Sequence, residues 1–189
     1  MKYDIILAGV GGQGVLSVGA IIALASMKSG YQVKQSEVHG MAQRGGAVQA
    51  HLRIADGPIA SDLIARGSAA MVLSMEPLES LRYVSYLQPS GTLVSSKDPE
   101  ENIPDYPDLE EVYARIRTLA SYKLIESRSL AREAGSLLAT NMVMVGAASS
   151  SLPLELEALE DAIREVFERK GIQVVDTNLR ALQLGRQAE

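Results

Sequence analysis

The chain has 189 residues, 47% of them apolar and 22% charged, which fits one globular domain and excludes a disordered chain or a fibre. A net charge of −5 with 4% aromatic residues excludes the basic, ring-bearing face that nucleic acids need and the polybasic anchor that anionic lipid needs. Cysteine is absent, which excludes disulfides, thiolate zinc sites, a cysteine nucleophile and cysteine-held iron–sulfur clusters, and the two histidines are too few for a histidine-rich metal site.

Residues 5–27 are apolar enough to suggest a signal peptide or a membrane span. Asp4 stands where only positive charge would be wanted, and Gly9, Gly11, Gly12, Gln13 and Gly14 cut the run in half. What remains is a strand over 3–8, a glycine turn and an apolar helix over 15–27, the start of a soluble, cytoplasmic α/β domain. Further strands are predicted over 31–36 and 47–54, with a polar, glycine-bearing loop at 37–46 between them. A buried strand over 69–75 leads into a helix opened by Glu76-Pro77 that reaches about residue 86. Residues 91–95 form another strand, and 97–108, with Pro99, Pro104 and Pro107, form a loop whose last residue, Asp108, caps a helix to about 119. A short strand follows over 122–125. Ser127 or Ser129 caps the next helix, Asn141 caps an apolar helix to 149, and residues 155–169 carry Leu156, Leu159, Ile163, Val166 and Phe167 on one stripe. A last helix starts near Asp176. Strands alternating with helices predict a Rossmann-like open, mostly parallel sheet with helices on both faces, as one domain over 1–189.

Gly9-Val10-Gly11-Gly12-Gln13-Gly14 satisfies G-x-G-x-x-G between a predicted strand and a predicted helix, the context that makes this motif an anion cradle. The alternative is a glycine turn needed only for close packing. Two other readings stay open, a purely structural subunit and a stand-alone Rossmann-like protein that binds NAD or FAD; the latter requires an acidic residue about 20 residues further on, at the end of the second strand. Glu37 lies near that place, but it leads into His39-Gly40 and not into a crossover helix. The loop Ser36-Glu37-Val38-His39-Gly40-Met41-Ala42-Gln43-Arg44-Gly45-Gly46 places a guanidinium beside open backbone, chemistry suited to a carboxylate or phosphate. If the second strand lies beside the first, Ser36, Glu37, His39, Gly40, Arg44, Gly45 and Gly46 share one pocket with the glycine turn. Arg44 as a solvated charge and His39 as a packing residue are the plainer readings.

Together, the motif at 9–15 and the loop at 36–46 resemble the gamma-type subunit of 2-oxoacid:ferredoxin oxidoreductases. The loop is similar to the version found in the beta subunit of indolepyruvate-type members. The segment 141–147 also resembles the family, as does 178–185, with Leu182 where a Phe is expected. The resemblance implies an enzyme that decarboxylates a 2-oxoacid on thiamine diphosphate, passes electrons through 4Fe-4S clusters to ferredoxin and delivers the acyl group to coenzyme A. This chain has no cysteine for clusters and no Gly-Asp-Gly start of a thiamine diphosphate motif. The resemblance therefore implies a large partner subunit that holds both cofactors, with coenzyme A as the ligand of the pocket here. No catalytic acid or base is assigned, and no metal is expected on this chain.

Overall fold

The computed structural model describes residues 1–39, 45–101 and 103–188, the side chain of His39 excepted. The elements run β1 (Lys2–Val10), α1 (Val15–Lys28), β2 (Gln32–His39), β3 (Ala47–Ala55), β4 (Ala69–Ser74), α2 (Pro77–Arg82), β5 (Leu87–Ser96), α3 (Leu109–Arg117), β6 (Tyr122–Ile125), α4 (Ser127–Ala134), α5 (Thr140–Ser149), α6 (Leu156–Phe167) and α7 (Ile172–Gln187). Short 3-10 turns follow α2 and α6 and precede α5.

The strands form one six-stranded sheet in the order β2-β3-β1-β4-β5-β6. Pairs β1–β4, β4–β5 and β5–β6 are parallel, whereas β3 runs antiparallel to both β1 and β2. The α/β architecture is as expected, with β3 the one strand reversed. The adjacency of the first two strands, the condition set for the shared pocket, does not hold, because β3 lies between them. The reason is local: β2 ends at His39 and β3 starts at Ala47, a connection too short for the crossover of a dozen or more residues that parallel strands need, so the two pair antiparallel. β2 also runs three residues past its predicted end, so Glu37 and His39 are strand residues.

Alternate side chains of each strand enter opposite layers. Ile5 and Leu7 join Leu52, Met71 and Leu73 beneath α1, α5, α6 and α7, while Ile6, Val72 and Leu93 meet Val112 and Ile116 of α3. Helices thus cover both faces, and β1, buried on each side, reads as a continuous apolar run. Asp4 is buried, and Arg53, opposite it on β3, grips both carboxylate oxygens at 3.0 and 3.1 Å.

The two family-like C-terminal segments are crossing helices. A Cβ on Gly146 of α5 would sit 2.0 Å from the Leu182 carbonyl oxygen, and one on Gly185 of α7 would sit 1.9 Å from that of Val143. Backbone meets backbone there, so neither neighbour can rotate aside. Asp108 caps α3 as expected, accepting from Glu110 and Glu111 N–H at 2.9 and 3.3 Å. Neither Ser127 nor Ser129 caps α4, and Asn141 lies inside α5. α7 begins at Ile172, four residues earlier than the sequence suggests, after Gly171 at φ 96°.

Gly185→Ala is expected to destabilise the fold by about 1–3 kcal/mol or more, the range for overpacking a well-filled core. Gly57→Ala, whose Cβ meets nothing within 4 Å, should stay within about 0.5 kcal/mol. Denaturant midpoints decide, and equal midpoints for the two variants would contradict the crossing.

His51 supplies a pH dependence. It is buried on β3, its Nδ1 accepts from Ile64 N–H at 2.9 Å, and the Tyr86 ring stands edge-on at 5.7 Å. Burial lowers its pKa from the ordinary 6.5, with Asp62 pulling the other way. The unfolded chain therefore binds the proton more readily, and the stability contributed is complete above that value and lost as pH falls below it. Wild-type stability should fall between pH 7 and 5 with an added slope of at most about 1.4 kcal/mol per pH unit. His51→Asn should flatten that slope, and identical slopes would refute the assignment.

Candidate functional site

The carboxyl ends of β1, β4, β5 and β6 meet the amino ends of α1, α4 and α5 around a cavity of about 290 Å³, lined by Gly12, Gln13, Gly14, Met75, Ser96 and Asp98 among others. This is the edge where ligands of open α/β sheets bind.

The glycine turn is built by its own residues. Gly9 has no room for a side chain, since a Cβ would lie 2.9 Å from both Gln13 Oε1 and Val15 Cγ2. That vacancy lets the Gln13 side chain fold back so that its Oε1 accepts from Val10 N–H at 2.8 Å. Gly12 and Gly14 adopt φ of 104° and 78°, the left-handed region that favours glycine. Gly11 N–H donates to the Gly46 carbonyl at 2.8 Å, and Gly45 N–H donates to that of Gly11 at 3.3 Å. The end of the second loop is therefore fastened to the turn, as the sequence suggested. The link runs through β3 and not through adjacent strands.

These bonds sort the donors. Gly11 and Gln13 N–H are engaged, the latter with Val10 at 3.1 Å, while Gly12 and Gly14 N–H have no acceptor among the described residues. They lead into the first turn of α1, whose N–H groups have no intrahelical partners. The opposite wall is acidic. Asp98 Oδ2 accepts from Arg128 N–H at 2.7 Å, Ser127 Oγ at 2.8 Å and Ser96 Oγ at 3.2 Å, so a loop carboxylate already caps α4. Arg128 pairs with Glu100 at 2.8 Å. An anion entering here would meet the N–H groups of the α1 turn.

The structure brings Gly9, Gly11, Gly12, Gln13, Gly14, Gly45 and Gly46 together. It does not bring Ser36 and Glu37 to the turn: Ser36 is level with His51 and, through it, with Ile6 in mid-sheet, and Glu37 is level with Leu7. The backbone of His39 ends β2 level with Gly9, two strands away. Gly40 and Arg44 lie outside the described residues. With β3 between β1 and β2, Glu37 does not take the ribose-binding position of a dinucleotide fold. Met75, Ser96 and Asp98 are not singled out from sequence, and Ser127 and Asn141 enter there only as helix caps. Most follow a predicted parallel strand, and the rule that ligands sit at such strand ends was enough to nominate them. Among the described residues no group of three or more potential ligands could hold a metal, and no helix is long and apolar enough to cross a membrane.

Residues 4–188 match the protein family described as pyruvate ferredoxin/flavodoxin oxidoreductase. The indolepyruvate oxidoreductase subunit IorB of Archaeoglobus fulgidus is 40% identical over 195 residues, spanning 98% of this chain and 94% of that protein. The pyruvate oxidoreductase subunit PORC of Thermotoga maritima has the same fold, with a TM-score of 0.75 at 23% identity over 99% of this chain and 96% of that one. So does part of the 2-oxoglutarate:ferredoxin oxidoreductase of Magnetococcus marinus, solved with 2-oxoglutarate, coenzyme A and succinyl-CoA bound. There the TM-score is 0.77 at 22% identity, and the match covers 98% of this chain and 30% of that longer chain. With a relative this similar along nearly its whole length, the chain belongs to the pyruvate ferredoxin/flavodoxin oxidoreductase family, as a subunit of a 2-oxoacid:ferredoxin oxidoreductase.

Proposed function

We propose that this chain is the small subunit of an indolepyruvate-type ferredoxin oxidoreductase, and that its glycine turn cradles coenzyme A. The complete reaction converts a 2-oxoacid and coenzyme A into acyl-CoA and carbon dioxide, and the electron pair released passes to ferredoxin. Thiamine diphosphate, when bound to the large partner subunit, supplies the decarboxylation, and 4Fe-4S clusters on that partner carry the electrons. The absence of cysteine from this chain supports leaving the clusters to the partner.

The observation that carries the reading is the pair of donors at Gly12 and Gly14 that have no acceptor among the described residues, beside a loop fastened at Gly45 and Gly46. A diphosphate fits such a turn, because backbone N–H groups and the positive end of α1 converge on it. The indolepyruvate assignment rests on relatives such as the Archaeoglobus fulgidus subunit.

The isolated chain is expected to give no oxoacid-dependent reduction of ferredoxin or of a viologen dye. Activity should appear on adding a thiamine diphosphate- and cluster-bearing large subunit, with indolepyruvate turned over at higher kcat/KM than pyruvate or 2-oxoglutarate. Turnover by the lone chain would end the subunit reading, and a preference for pyruvate would overturn the substrate assignment alone.

A further inference from the structure

The turn joining α4 to α5 presents two leucines at the mouth of the glycine-turn cavity. Leu137 lines the cavity and is 47% exposed, while Leu138 is 91% exposed, more than any other large apolar side chain among the described residues. The turn is held in place. Ser136 Oγ accepts from Leu138 N–H at 3.2 Å, Ser136 O from Ala139 N–H at 3.0 Å, and Leu137 O from Thr140 Oγ at 2.6 Å. Single exposed leucines are ordinary on protein surfaces. This pair is adjacent, fixed in a capped turn and continuous with the candidate site.

We infer that Leu137 and Leu138 are the anchor by which the large cofactor-bearing subunit docks over the cavity mouth, an inference that rests on the proposed function. The location selects the occupant, because the mouth of this pocket must face whichever chain carries the thiamine and clusters that this one lacks. Charge selects against a second copy of this chain. Among the described residues the mouth carries Asp98 and Glu100 against Arg128, and the loop beyond continues with exposed Glu101 and Asp105. A two-fold pairing of this surface with itself would set like charges face to face. The partner surface that fits is an apolar socket with cationic groups on its rim.

The test uses the large subunit that reconstitutes oxoacid-dependent dye reduction with this chain. Leu138→Asp should raise the dissociation constant of that complex at least tenfold, as loss of a central apolar anchor does. Because the side chain is exposed, the variant should keep the wild-type circular dichroism spectrum and melting midpoint. Ile172→Asp is the control. Ile172 is 71% exposed but lines a separate groove beside Lys28, at the far end of the 14-residue α1. It should leave the constant unchanged. Unchanged affinity for Leu138→Asp, or equal loss in both variants, would overturn the anchor while leaving the reconstituted activity as evidence for the function. Self-association of the wild-type chain that Leu138→Asp abolishes would assign the surface to a second copy and overturn the proposal. If no large subunit reconstitutes activity, the function and the anchor fall together.

Discussion

The hydrogen bonds that tie Gly11 to Gly45 and Gly46 set the geometry of the whole functional edge. They extend the β1–β3 ladder one step beyond Val10 and Ala47, into the glycine turn itself. Because β3 lies between β1 and β2, the residues just before it, Gly45 and Gly46, stand beside the end of β1, where the glycine turn begins. Two glycine-rich segments far apart in sequence thus become one surface through backbone contacts that need little from their side chains. The same bonds engage the Gly11 N–H, and the Gln13 side chain engages that of Val10, so among the described residues the donors left for a ligand are those at Gly12, Gly14 and the start of α1.

The rest of the fold holds that edge still and divides its charge. α5 and α7 cross with backbones in contact at Gly146 and Gly185, which seats the amino end of α5 against the turn, with the Asn141 amide 3.0 Å from where a Cβ of Gly14 would lie. α4 also points its amino end into the cavity, but Asp98 fills that position with a carboxylate of the chain's own. Of the helix ends that converge here, α4 is capped internally while the α1 turn stays open. A donor wall faces an acidic wall, and the leucine turn stands at the rim.

Much of this was legible in the sequence, and the gaps have physical causes. The β1–turn–α1 unit is readable because a cluster of glycines over 9–14 interrupts the apolar run, with only the lone Gly19 beyond it. The cap at Asp108 was readable because an Asp directly before a helical pattern has one common use. The sheet order was not read, although the signal was present: no helix pattern separates the second and third strands, so they had to pair antiparallel and the second strand had to move to the edge. Ser36 and Glu37 were drawn into the pocket by that mistaken adjacency. The cap on α4 was missed because it comes from Asp98, thirty residues from Arg128, and local patterns near Ser127 carry no trace of it. The helix crossing at Gly146 and Gly185 was seen only as family-like segments, since a glycine inside a helix does not announce which backbone approaches it.

We propose that the glycine turn and the second loop form one anion site, with Arg44, which lies outside the described residues, as its cation, since Arg128 of the cavity wall is already paired with Glu100. Steady-state kinetics of the reconstituted complex test it most directly. A charge-assisted hydrogen bond is worth about 1.5–3 kcal/mol, so Arg44→Ala should raise KM or lower kcat for coenzyme A or the oxoacid by roughly tenfold to a hundredfold. Arg44→Lys should recover only part, because an ammonium lacks the planar fork. Constants for both substrates that match wild type in Arg44→Ala would contradict the shared site.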